Sequence, residues 1–249
     1  MHPANDSEKP HPSGRREFLR AATALTGLAV LPSAAKAAEK SAAASAAETA
    51  PAEPAPFVYL ALDPGEAQFV EHLVDVMCPA DEFTPGGVAC GLAAFMDRQL
   101  AGPFGRGERL YLRGPWRPGR REDGHQLPLN PAQYFKLGVA AADEACGRRH
   151  GRRFAALAPA EADSFLQELA DGTFKKAGVD LADWFNELVY PLFTQACFAD
   201  PVSGGNRDKV FWKMIGYPGL PAVNGLNMAR YRGKPFPGAK APQSMEDFG

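Results

Sequence analysis

The stretch Asp63-Pro64-Gly65-Glu66-Ala67-Gln68-Phe69-Val70-Glu71-His72-Leu73-Val74-Asp75-Val76-Met77 decides the fold class. It opens with an Asp placed to cap a helix and a Pro at the first helical position, where a missing N–H costs nothing. Glu66 stands three residues after the cap, where its carboxylate reaches back to the cap's own amide. Phe69, Val70, Leu73, Val76 and Met77 then recur at helical spacing and form one apolar stripe. Pro79 stops the run, because a proline inside a helix removes a hydrogen bond and clashes with the preceding turn.

The same grammar repeats downstream. Asp81 to Gly87 reads as a loop, and Val88 to Leu100 as a second helix with Leu92, Phe95, Met96 and Leu100 on one side. Gly102 to Pro128 is a long Gly/Pro/Arg segment with little periodicity. Asn130-Pro131 caps a third helix that runs through Tyr134, Phe135, Leu137, Val139 and Cys146 to Gly151. Pro159 opens a fourth, with Phe165, Leu166 and Leu169. Asp180 starts a fifth, with Leu181, Trp184, Phe185, Leu188, Val189, Leu192 and Phe193. A short sixth helix spans Asp208 to Ile215 and ends at Gly216, and the tail from Gly219 is again rich in Pro and Gly. No run alternates with period two. The expectation is an all-α fold: one irregular domain of about six helices with long Gly/Pro-rich loops over residues 57–249.

Composition narrows the function classes. Across 249 residues, 27 Lys and Arg face 29 Asp and Glu, a net charge of −2. That balance argues against nucleic acid as a partner, since such binders carry a strongly basic face. The hydrophobic share of 45% suffices for a core. No apolar run reaches the roughly 18–20 residues of a membrane-spanning helix.

The N-terminus reads as an address. Ser13-Gly14-Arg15-Arg16-Glu17-Phe18-Leu19-Arg20 resembles a twin-arginine export signal through Arg15, Arg16, Phe18 and Leu19. A weakly apolar stretch follows to Leu31, and Ala35-Lys36-Ala37 gives an A-x-A cleavage site. Residues 1–37 are therefore expected to be a signal peptide that engages the twin-arginine translocase. Residues 38–56, almost all Ala, Glu, Ser, Thr and Pro, read as a flexible linker. The expected compartment is the periplasm. Because that route carries folded proteins, the chain either loads a cofactor before export or travels with something that does.

The sequence contains no G-x-G-x-x-G, no C-x-x-C-H, no H-E-x-x-H and no G-x-S-x-G. His72, His125 and His150 are not spaced as metal ligands on a helix. Asp81-Glu82 reads as a solvated turn before it reads as a catalytic pair. Arg106, Arg109, Arg113, Arg117, Arg120 and Arg121 crowd a loop with Tyr111 and Trp116, which suits either an interface or a solubilising surface. Arg148, Arg149, Arg152 and Arg153 close the third helix and complement its dipole. The four Cys allow three pairings. Cys78 ends the first helix and Cys90 begins the second, so Cys78–Cys90 is the favoured bridge, with Cys146–Cys197 as the remainder. Buried free thiols and an intermolecular bridge are the alternatives.

The most distinctive stretch is Asp200-Pro201-Val202-Ser203-Gly204-Gly205-Asn206-Arg207-Asp208-Lys209, followed by Trp212 and Ile215-Gly216-Tyr217-Pro218-Gly219. Paired Gly allow a tight turn with positive φ. Asn206 is placed to cap the short helix and Asp208 to occupy its first turn. Gly216 and Pro218 end it. Trp212 suits the core before a partner surface, and Lys209 is expected to reach an acidic group at a rim. The stretch resembles the signature of the gluconate 2-dehydrogenase subunit 3 family. So do Phe95 to Arg106, which includes Arg98, then Gly114-Pro115-Trp116, and Gln126-Leu127-Pro128-Leu129-Asn130-Pro131. The resemblance spans roughly residues 57–235. One departure is Ser203, where the family often carries Tyr.

The resemblance implies a non-catalytic gamma subunit of a periplasmic, membrane-associated gluconate 2-dehydrogenase. In such complexes a large flavoprotein subunit holds FAD, and a multi-haem cytochrome c subunit passes electrons to quinone. The small subunit holds no cofactor of its own and carries the export signal for both. Gly204, Gly205, Asn206, Asp208, Lys209, Trp212, Gly216, Tyr217, Pro218, Arg98, Gly114 and Trp116 are then the candidate interface. The alternatives are the small subunit of a related polyol or keto-sugar-acid dehydrogenase, a stand-alone periplasmic sugar-acid-binding protein that uses arginines for the carboxylate, and an enzyme with a site around Asn206, Asp208, Lys209 and Tyr217.

Overall fold

The structure is a computed structural model that describes residues 57–117, 119–120, 123–176, 178–220 and 224–248. The signal residues Arg15, Arg16, Phe18, Leu19, Ala35 and Ala37, the linker 38–56 and Arg121 lie outside the described residues.

The chain is mostly helical. α1 is Pro64–Met77, α2 Leu92–Ala101, α3 Pro103–Arg106, α4 Pro131–His150 and α5 Pro159–Ala170. A two-residue antiparallel pair, β1 (Lys175–Lys176) and β2 (Val179–Asp180), leads into α6 (Leu181–Asp183). A π-helical stretch (Trp184–Val189) continues into α7 (Tyr190–Phe198). After two 3₁₀ turns come α8 (Val210–Ile215) and α9 (Gly225–Arg230). Among the described residues, no helix is long and apolar enough to cross a membrane.

The expected caps form. Asp63 accepts from the amides of Gly65 and Glu66 at 2.9 Å, and Glu66 closes the box on the Asp63 amide. Asn130 and Gln133 make the reciprocal pair at the start of α4. Asp180 accepts from Ala182 and Asp183. Each such cap contributes about 1 kcal/mol. Two boundaries differ from expectation. The second helix starts at Leu92 because Val88–Gly91 is a turn, with Gly91 left-handed at φ 78°. The fifth is one run only through its widened π turn. Pro191, just past that turn, cannot donate to a carbonyl one turn back, and the extra residue per turn carries the helix past it.

The core lies between α1, α4, α5 and the π stretch. Phe69 packs on Phe154 at a tilt with ring centres 4.6 Å apart, and Phe154 meets Phe165 at 5.8 Å. Trp184 is fully buried between Phe69 and Phe135. Its indole passes so close to α4 that a Cβ on Gly138 would lie 2.0 Å from Nε1. Gly138 therefore sets the spacing of α4 against the π stretch.

Asp97, on α2, is fully buried. Its carboxylate accepts from the amides of Leu60 and Ala61 at 2.8 Å and Leu62 at 3.0 Å. Three amide donors compensate a buried charge that would otherwise be costly. They fix the chain's entry into the domain across α2, directly beside Arg98.

Candidate functional site

The loop after α7 is built around a buried polar residue. Asn206 has no exposed surface. Its amide donates to the Ala199 carbonyl at 3.1 Å, and its side-chain oxygen accepts the Phe211 amide at 3.0 Å. Asn206 thus serves a first-turn amide of α8, as a cap does, but not from the capping position. Lys209 occupies that position, and Asp208 lies outside the helix. The expected roles of Asn206 as cap and Asp208 as first-turn anion are corrected for a backbone reason: Asn206, Asp208 and Lys209 all hold left-handed φ of 47°, 58° and 57°. Such positions cost about 1–3 kcal/mol each for a non-glycine residue and persist only where surroundings enforce them, with Asn and Asp at the tolerant end.

The two glycines do different work. Gly204 has φ 100°, which a side chain resists, and its missing Cβ also makes room for the Arg98 guanidinium. Gly205 is not left-handed. A Cβ there would lie 2.5 Å from the Ala196 carbonyl oxygen and 3.1 Å from the Phe95 Cβ, so Gly205 is required by contact with α7 and α2. Trp212 is buried at 4% exposure and donates its indole N–H to the Phe198 carbonyl at 2.9 Å. Tyr217 stacks edge-on against it, Gly216 ends α8 with φ 68°, and Pro218 follows. Trp212 accordingly belongs to the core side of the loop.

Lys209 does reach an acidic group, one of this chain. Its Nζ donates to both Asp247 oxygens, at 2.7 and 2.5 Å. Asp247 belongs to a C-terminal strap that lies along the loop. Gln243 donates its amide to the Pro218 carbonyl at 3.1 Å, Met245 donates to Asp200 at 2.9 Å, and Ser244 is fully buried. The Lys209 hydrogen bond, with help from the Ser244 amide, holds the Asp247 carboxyl below its usual value. Between loop and strap opens a cleft of about 890 Å³. Arg98, Arg207, Asp208 and Lys209 line it; Asn206 and Tyr217 do not, so the four residues of the stand-alone enzyme reading do not converge on one site.

The other candidates resolve more simply. Asp81 accepts from the Phe83 and Thr84 amides, which hold its carboxyl low and make it a turn residue. Each arginine in the last turn of α4 and just beyond it has a carboxylate: Arg148 with Glu144, Arg149 with Glu168, Arg152 with Glu161, Arg153 with Asp143. In the Arg-rich loop, Trp116 folds back on Gly114 across a cis Gly114–Pro115 bond, and neither lines the cleft. His125 stacks on Tyr134 with ring centres 4.0 Å apart, and burial lowers its pKa. Among the described residues, no group of His, Cys, Asp and Glu is arranged to hold a metal ion.

All four cysteines are buried free thiols, so neither expected bridge is formed. Cys78 and Cys90 are nevertheless neighbours, both thiols pointing at the Pro85 carbonyl, at 4.0 and 3.4 Å. The Cys146–Cys197 pairing has no support in the geometry. Cys197 sits near Cys78, whereas Cys146 is surrounded by Asp143, Arg152 and Glu161. Burial pushes Cys146 up to about 11 and Cys197 to about 12.

The residues that build the loop lie inside a match to the family model for gluconate 2-dehydrogenase subunit 3, over residues 64–219. The chain belongs to the gluconate 2-dehydrogenase subunit 3 family. No curated protein and no solved structure gave a match. Membership makes the chain one component of a multi-subunit assembly. The matched span ends at Gly219, so the strap that covers the signature loop lies beyond it. Sequence reasoning missed Asp97, whose signal was a carboxylate on the apolar face of a helix, and the strap, which no local pattern ties to Lys209.

Proposed function

We propose that this chain is the non-catalytic small subunit of an FAD-dependent gluconate 2-dehydrogenase that oxidises D-gluconate to 2-dehydro-D-gluconate, and that it escorts the flavoprotein through twin-arginine export. The observation that carries this reading is family membership across the helical domain, residues 64–219. The Arg15-Arg16 pattern and the A-x-A site at Ala35-Lys36-Ala37 support the export role. In this reading the large subunit holds the FAD. A multi-haem cytochrome c subunit receives the electrons and delivers them to quinone, and the assembly works on the periplasmic side of the membrane. The sequence carries neither a dinucleotide fingerprint nor a haem-attachment motif, which suits a chain that contributes surface rather than chemistry.

The test replaces Arg15 and Arg16 by Lys together and fractionates the cells. Both this chain and its flavoprotein are expected to stay in the cytoplasm, and gluconate oxidation at the membrane to be lost. A flavoprotein that still reaches the periplasm refutes the escort role.

A further inference from the structure

The cleft beside the signature loop holds more positive charge than the chain itself neutralises. Arg98, Arg207, Lys209, Lys213 and Lys240 line it, against Asp208, Glu246 and Asp247. Two of those three carboxylates belong to the strap. Only Lys209 is engaged by one of them, with its side chain 16% exposed. Arg207 donates to the Ala89 carbonyl, and Arg98 lies 5.8 Å from the ring centre of Phe57. Among the described residues, Arg98, Arg207, Lys213 and Lys240 form no ion pair with a carboxylate. The arginines at the end of α4 show the contrast, since all four are paired there. Like charges gathered around one cleft repel, and an anionic occupant removes that repulsion.

The strap shows how such an occupant sits. It pairs its backbone with the loop through a parallel bridge between Gly219 and Gln243, and it places a carboxylate on Lys209. That is the pattern of an extended peptide added to a backbone edge, with main-chain bonds for affinity and a side chain for register. Polar contacts hold it and apolar burial adds little, since Met245 and Phe248 remain 59% and 63% exposed. Left-handed backbone at Asp208 and Lys209 turns the loop's charged residues toward the cleft.

We propose that this cleft is the docking site for an acidic, extended segment of the catalytic partner subunit, and that the strap is its internal stand-in. The identity of the partner rests on the function proposed above; the chemistry of the cleft does not. Because the strap is tethered, it competes at a high effective concentration, on the millimolar scale for a short linker. A partner segment must displace it, and weakening the strap must raise affinity for any acidic peptide that fits.

The experiment uses the full chain and a fluorescein-labelled peptide with the strap's own sequence, Gln-Ser-Met-Glu-Asp-Phe, read by anisotropy. Asp247→Asn is expected to bind the peptide about tenfold tighter than the unaltered chain, a change expected from loss of the internal competitor. Adding Lys213→Glu to Asp247→Asn is expected to return binding to the starting level, and salt to weaken it. Thermal melts check that each variant is folded. Equal binding by Asp247→Asn and the unaltered chain overturns the proposal, as does equal binding of a peptide with Gln and Asn in place of its acids. Displacement of the labelled peptide by free gluconate at lower concentration than by unlabelled peptide overturns it in favour of a small-acid site. With the flavoprotein co-expressed, Arg98→Glu with Lys213→Glu is expected to release it at lower salt than the unaltered chain does. A complex indifferent to those reversals overturns the docking assignment. If the unaltered chain holds no flavoprotein at all, the escort reading fails instead, and the peptide measurement still decides the cleft.

Discussion

The helical body from Pro64 to Phe198 and the segment from Asp200 to Phe248 satisfy their buried backbone by different means. In the body, helices pair their own amides and carbonyls, and side chains are left to pack. In the segment, the helices are short and side chains take over part of the pairing. Asn206 bonds Ala199 and Phe211, Asp200 bonds Met245, and Asn224 bonds the Gly219 carbonyl. Apolar packing is graded and tolerant, whereas a loop held by single polar contacts and left-handed residues depends on a few exact side chains. The stretch from Asp200 to Gly219, at the end of the family match, falls in the second kind of structure.

The largest expected effect comes from removing the space on which both regions depend. Gly205→Val puts a branched side chain where even a Cβ would be 2.5 Å from the Ala196 oxygen. Overpacking of this kind costs about 3 kcal/mol, more where backbone must move. Gly138→Ala is the matching change in the body, against the Trp184 indole. Both should lower Tm and soluble yield. Only Gly205→Val should also reduce recovery of the multi-subunit complex from cells when the two are compared at equal soluble amounts. Equal recovery at matched amounts would reduce the loop to a structural element.

Oxidation sharpens the comparison next. Cys78 and Cys90 sit at the junction of α1 and α2, under the signature loop, since the Arg207 amide donates to the Cys90 carbonyl. A bridge between them closes about a dozen residues and is worth about 3 kcal/mol. Non-reducing peptide mapping of protein held in an oxidising buffer is expected to find Cys78–Cys90, with Cys146 still alkylatable after unfolding. A Cys146–Cys197 peptide, or four free thiols, would contradict that.

Asn206→Ala comes third. It leaves the Phe211 amide and the Ala199 carbonyl unpaired in a buried place, a cost of about 1–3 kcal/mol, and puts alanine at φ 47° where Asn is tolerated better. Urea unfolding should show a lower midpoint. Asn206→Asp keeps the acceptor for Phe211 but sets a buried carboxyl against the Ala199 carbonyl, and should fall at least as far at neutral pH. If the midpoint is unchanged in both, the loop does not hang on this residue.

What was legible in the sequence follows the same division. Helix starts at Asp63, Asn130 and Asp180 were legible because a cap and its partners lie within three residues of each other. Trp212 reads as a core residue because an exposed Trp is a liability in a free chain, and it is buried. The site was legible as a motif but not as a geometry. Asn206 looked like a cap, yet its acceptor role spans five residues and a left-handed turn. Asp97 binds amides some 35 residues away, and Lys209 meets Asp247 across 38. Periodicity and capping encode neighbours along one element, and they are silent about which loop folds back on which. Neither expected disulfide is formed, and of the two pairs only Cys78 and Cys90 are neighbours, because Cys146–Cys197 is a remainder and not a contact.

The smallest effect on folding, and the most informative about the cleft, is Lys209→Glu. In the native chain Asp247 gains the Lys209 hydrogen bond, so its folded pKa is depressed below the ordinary 3.8. A depressed carboxyl contributes its stabilisation above its unfolded pKa and loses it as pH falls through the folded value. The strap is therefore expected to stay attached at neutral pH and to come loose only in acid below that ordinary value. Limited proteolysis near Gln243 reads this directly, as faster cleavage at low pH by an acid-active protease. In Lys209→Glu two carboxylates face each other, so the strap should be cleaved rapidly already at pH 7. The pair is partly exposed and salt-screened, so the melting temperature should move less than for Asn206→Ala. High salt should slow cleavage of the variant by screening the repulsion, and should speed cleavage of the native chain by screening the attraction. If salt acts in the same direction on both, the charge pair is not what holds the strap against the loop.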